Sequence, residues 1–160
     1  MSNSAVFSDC GKYRYLLTRD LNVSGQVKKC LFIMLNPSTA DASKNDPTVR
    51  RCISFAARES CTHLTVCNLF AARSTDPKQL ELMEDPTGPL NLDHISRALD
   101  SHDLIIVAFG AHKMASRSRA WQMIKEHGKF RKSLYFLGKT KSGAPRHPLY
   151  VKKDQPLELF

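Results

Sequence analysis

Three side chains that can position, read and protonate stand far apart in this chain. They are Asn36 in LNPSTAD, Asn68 in CNLFAARSTDP and His147 in APRHPLY. An asparagine amide donates and accepts at once, so it suits the edge of a flat heterocycle. It can also orient a water, though it cannot take that water's proton. A histidine can donate to an oxygen that gains negative charge as a bond breaks. Phe70, two residues after Asn68, offers a flat apolar face for stacking, and Ser38, two after Asn36, adds a hydroxyl. Together these residues suit recognition of a nucleobase and hydrolysis of its bond to a sugar. In that scheme an asparagine reads the base edge, a polar side chain opposite places water and a histidine steadies the departing base anion. Each residue has a plainer reading. Asn36 before Pro37 suits a turn ending a strand, Asn68 a cap or turn, and His147 an exposed loop position.

Charge supports a polyanionic partner. The net charge is +9, and residues 1–110 balance 12 basic against 12 acidic residues. Residues 111–160 hold 12 basic and 3 acidic residues, so the last third carries the whole excess. A one-sided surplus of this kind is the footprint expected of nucleic-acid or nucleotide binding. Lys113, Lys139, Lys141 and Arg146 from that stretch, with Arg50 and Arg51 at the start of a helix and Arg73 from the loop after a strand, are the candidate phosphate contacts. Arg50 and Arg51 begin a helix, where the dipole disfavours positive charge, so at least one should meet an anion or a carboxylate such as Asp41. DNA stands ahead of RNA as the partner.

Other chemistries are weakly represented. Gly138-Lys139-Thr140 resembles the tail of a phosphate-binding loop, but Ser133 occupies the place of its first glycine. There is no G-x-S-x-G elbow and no histidine spacing of a zinc site. Asp41 and Asp46 could hold Mg²⁺, but Asp46 before Pro47 is better placed to cap a helix. Neither metal nor cofactor is expected. Five cysteines without C-x-x-C spacing read as reduced, buried thiols. The apolar runs CLFIML and LIIVAF are too short to span a bilayer, and MSNSAVFSDCGKY lacks the blocks of a secretory signal. A cytoplasmic protein is expected, and its oligomeric state is left open.

The elements that must position these residues follow from periodicity. KYRYLLT reads as an edge or hairpin strand. KKCLFIML, HLTVCNLF, DLIIVAFG and SLYFLG read as strands buried on both faces. Between them lie helical patterns: Val49 to Ala57, a short one from Pro77 carrying Leu80 and Met83, Leu92 to Leu99, and Met114 to His127. The alternation predicts one α/β domain over residues 1–160, three layers deep, around a mainly parallel four-stranded sheet. Ligands of such sheets bind at the carboxyl ends of the strands. Asn36, Asn68, Gly110 with His112 and Lys113, and the loop of Lys139 to His147 all fall there.

The chain resembles the family called domain of unknown function 1643. The resemblance rests on MLNPSTAD, NDPTVRRC, NLFAARSTDP, DPTGPLN and LGKTKSGAPRHPLY, spread over about residues 13–151. A more distant similarity is to the uracil-DNA glycosylase superfamily. Met34-Leu35-Asn36-Pro37-Ser38 matches its water-positioning motif, with Ser38 where the mismatch-specific branch has its second glycine. Asn68 matches the asparagine that reads the base edge. FGAHKMA is similar to the start of its third-strand loop. Arg146-His147-Pro148-Leu149 stands in place of its His-Pro-Ser loop, with Leu149 where the serine would be. The resemblance implies a glycosylase-like α/β/α fold and base flipping from DNA. It also implies that Asn36 places water, Asn68 reads the base and His147 contacts the base, without a cofactor.

Overall fold

The computed structural model describes residues 2–160. Its centre is one seven-stranded sheet in the order β1-β2-β4-β3-β5-β6-β7. The strands are β1 (Ser4–Phe7), β2 (Arg14–Asp20), β3 (Lys29–Met34), β4 (His63–Asn68), β5 (Leu104–Val107), β6 (Leu134–Phe136) and β7 (Glu158–Leu159). The four strands expected from buried apolar runs are β3 to β6, and they pair in parallel. The four-stranded expectation is corrected at both margins, because β1, β2 and β7 add antiparallel strands. β2 is not an edge: it lies between β1 and β4.

Successive residues of a strand point to opposite faces, so the continuous runs of β3 and β5 supply two cores at once. Leu31, Ile33, Ile105 and Val107 pack with Ile95, Leu99, Trp121 and Ile124. These come from α2 (Asn91–Ser101) and α3 (Arg119–Phe130). Cys30, Phe32, Met34 and Ile106 pack on the other face with Val49, Cys52, Phe55 and Ala56 of α1 (Pro47–Arg58). Helices therefore cover both faces, giving three layers.

Local signals place the ends. Asp46 caps α1 by accepting from Val49 N–H at 2.8 Å, and Pro47 occupies its first turn, where a missing N–H costs nothing. The helical pattern expected from Met114 to His127 divides in two. A 3₁₀ segment, Lys113–Arg117, ends at Ser118, whose hydroxyl accepts from Trp121 N–H and starts α3. A second 3₁₀ segment, Pro77–Leu82, carries Leu80 into the core. All five cysteines are free; four are buried and Cys10 is exposed. Among the described residues no helix is long and apolar enough to cross a membrane.

Candidate functional site

A cavity of about 740 Å³ opens at the carboxyl ends of β3, β4, β5 and β6. That is within the range of small-molecule sites. Asn36, Ser38, Asn68 and His147 line it together, with Lys141 and Arg146. Asn36 and His147 are 111 positions apart, and the sheet brings them to one hollow.

The β3 loop is sewn to the β4 loop. Leu69 and Phe70 N–H groups donate to the Met34 and Leu35 carbonyls, and Ser74 N–H donates to Pro37 O. The Asn36 amide donates to Ser74 O at 2.9 Å and to Pro37 O at 3.2 Å. Both donors of its NH₂ are thereby committed, and its Oδ1 remains as the acceptor for a ligand or water. Asn68 is different. It is 1% exposed, and its Nδ2 has no partner among the described residues. Its own carbonyl accepts from Asn91 Nδ2 at 2.9 Å, which fixes the strand end while the side chain stays unspent. A buried amide without a partner costs about 1–3 kcal/mol, and such a cost marks a place where a ligand's acceptor fits.

His147 is held by its backbone. Gly110 N–H donates to Pro145 O at 2.8 Å, and Tyr150 N–H donates to His147 O at 3.0 Å. Gly110 has φ +77°, which a side chain would strain. Leu149 N–H donates to His147 Nδ1 at 3.2 Å. With Nδ1 accepting, the proton of the neutral ring sits on Nε2. Burial lowers the pKa of His147, partly opposed by Asp46, so the neutral donor form prevails near pH 7. His112 repeats the arrangement: it lines the cavity, and its Nδ1 accepts from Met114 N–H at 3.2 Å.

Several sequence candidates lie elsewhere. Phe70 is buried in the core and does not line the cavity. Arg50 donates to Asn45 O. Arg51 stacks on Phe55 and donates to Pro148 O and Val151 O. The expected carboxylate partner of these arginines is thus replaced by backbone carbonyls, and Arg51 fastens the segment that carries His147. Arg73 lies over the Phe7 ring and donates to Gly11 O. Lys113 pairs with Glu81 at 2.8 Å, and Lys139 lies over Phe136. None of these six lines the cavity.

Sequence reasoning set His112 and Thr140 at this end of the sheet without a role and missed Arg14, Asp46 as a wall residue, Thr48 and Tyr150; all six line the cavity. His112 was legible from its place after β5. Arg14 was not, since an arginine between two tyrosines of a strand reads as a solvent-facing residue. No group of three or more His, Cys, Asp or Glu able to hold a metal ion occurs among the described residues.

An α/β protein with a cavity at the carboxyl edge of its parallel strands is thus defined. The chain belongs to the family described as a protein of unknown function (DUF1643), whose model matches residues 14–149. No curated protein and no solved structure matches the chain.

Proposed function

We propose that this protein binds a nucleobase in the cavity and hydrolyses its N-glycosidic bond, acting on nucleic acid in the manner of a DNA glycosylase. The observation that carries the reading is the convergence of Asn36, Asn68 and His147 on one hollow, with the Asn68 amide buried and unpartnered. Asn68 reads the base edge and repays its desolvation only when that edge is present. The C1′–N bond breaks with its electron pair moving to the base, and the base oxygen that gains charge accepts from His147 Nε2–H. Water held by Asn36 Oδ1 adds to C1′. Asp46, the one carboxylate among the lining residues, is available for the water's proton. Lys141 and Arg146, exposed and lining the cavity, meet phosphates of the flanking strand. These contacts offset the few kcal/mol that unstacking a base costs.

The test is release of abasic product from a panel of DNAs containing uracil, mismatches and modified bases. Asn36→Ala and His147→Ala should each abolish release while leaving DNA affinity within about two-fold, since neither supplies a phosphate contact. Both variants releasing base at the wild-type rate would remove this mechanism. DNA binding that weakens steeply with salt, with no abasic product from any substrate, would instead select a non-catalytic binding module. Turnover of free nucleosides or nucleotides without DNA affinity would select a small-substrate hydrolase.

A further inference from the structure

β2 carries two buried arginines, and the fold treats them differently. Arg19 is 2% exposed and donates to Asn45 Oδ1 and to the carbonyls of Thr18, Ala42 and Lys44, among others. Its guanidinium is spent on holding the loop that precedes α1. Arg14 is 3% exposed and donates only to Ala40 O, at 2.9 Å. Its Nε is buried without a partner, it lines the cavity, and among the described residues no carboxylate lies within ion-pair distance of it. Burial pushes its pKa down to about 10, so it is still a cation at neutral pH.

A buried cation lacking an ion pair is expensive, and here the nearest structural partner for an anion is also present. α1 points its N-terminus at the cavity through Asp46, Thr48 and Val49. Asp46 satisfies Val49 N–H with its side chain and Arg50 N–H with its carbonyl. Thr48 N–H has no acceptor among the described residues. Arg19 and Arg73 add positive potential at Arg14, and Asp46 subtracts from it.

We infer that Arg14 and the first turn of α1 form an oxyanion subsite inside the cavity, and that the ligand brings a phosphate to it. This rests on the nucleobase reading and narrows it: the cavity takes a whole nucleotide, base toward Asn68 and phosphate toward Arg14. The cavity volume of about 740 Å³ leaves room for both parts. The phosphate belongs either to a free nucleoside 5′-monophosphate or to the flipped nucleotide of a strand.

Calorimetric titration of the intact protein with deoxynucleosides, their 5′-monophosphates and inorganic phosphate tests this. The monophosphate should bind about ten-fold tighter than its nucleoside, the worth of a charge-assisted hydrogen bond. Arg14→Gln should close that gap to about two-fold and leave nucleoside affinity in place. Equal binding of nucleoside and monophosphate by the wild type would overturn the subsite, whether or not the variant folds. A gap unchanged in a folded Arg14→Gln protein would overturn Arg14's part in it. Arg14-dependent binding of inorganic phosphate, with no nucleotide binding tighter, would keep the subsite and remove the nucleobase reading. Nucleoside binding without any phosphate preference would do the reverse. Oligonucleotides lacking a terminal phosphate separate the two sources: competition that depends on Arg14 assigns the phosphate to a strand, and its absence assigns it to a free nucleotide.

Discussion

Replacing Asn68 with leucine should stabilise the protein while destroying ligand binding. Asn68 is 1% exposed and its buried Nδ2 has no hydrogen-bond partner among the described residues. Leucine has nearly the same shape, so the change removes a desolvated, unpaired amide without opening a cavity. An unsatisfied group of this kind costs about 1–3 kcal/mol, so a gain of about 1–2 kcal/mol is expected. For a domain of this size each kcal/mol moves Tm by about 2–4 °C. A neighbouring residue provides the control. Asn91 is equally buried, but its Nδ2 donates to Asn68 O and Leu69 O at 2.9 and 3.2 Å. Asn91→Leu breaks both bonds and strands two carbonyls, which outweighs the removal of its own buried, unpartnered Oδ1, and should lower stability by about 1–3 kcal/mol. Thermal and urea denaturation of the two variants should therefore give shifts of opposite sign. A fall in Tm for Asn68→Leu would mean that the amide is structurally employed, and the argument that it waits for a ligand would fail.

Two further outcomes follow from the same contacts. Arg51→Ala should lower base release and binding together, with a loss of about 1–3 kcal/mol in urea stability. Its guanidinium ties α1 to Pro148 O and Val151 O beside His147, and a wild-type level of both would show that the loop holds itself. Burial lowers the pKa of His94, His102, His127 and His147. The unfolded chain therefore binds more protons than the native one below the ordinary histidine value of about 6.5. Stability should be fully present above that pH and decline as pH falls toward the depressed native values. A urea midpoint that does not drop between pH 7.5 and 5.5 would contradict it.

What the sequence made legible was the part fixed by local chemistry. KCLFIM is apolar at every position after its lysine because β3 is covered on both faces, and Asp46-Pro47 writes the start of α1 in two residues. β1 and β7 were not legible. They are short strands, one half-exposed and the other exposed, and they exist through pairing with distant segments. Phe70, offered as a stacking face, lies away from the cavity. The chain bends just past β4, Phe70 N–H donates to Leu35 O, and the ring packs in the core. The basic surplus was also read too simply. Lys132 donates to the Leu99, Asp100 and His102 carbonyls at the end of α2, and Arg131 pairs with Asp100 at 2.9 Å. Of the residues marked as phosphate contacts, Lys141 and Arg146 alone line the cavity.

Arg14 escaped notice for a reason that also explains its position. Phe7 pairs with Arg14 and Val6 with Leu16, so Tyr15 is an extra residue in β2. Such a bulge breaks the two-residue alternation. Tyr13 and Tyr15 face the α2 and α3 layer, while Leu17 faces the α1 layer. Arg14 is turned toward the α1 side, where Ala40 O and the cavity receive it. A strand that kept strict alternation from Tyr13 would hold all of its odd-numbered residues on one face, and Leu17 would share the side of the tyrosines. Keeping every residue but pairing the strand without the bulge would move each side chain after Tyr15 to the other face, carrying Arg19 away from the loop it fastens. The bulge is therefore what lets one strand serve both ends: Arg19 is bound into the frame, and Arg14 is left beneath the cavity with a donor to spare.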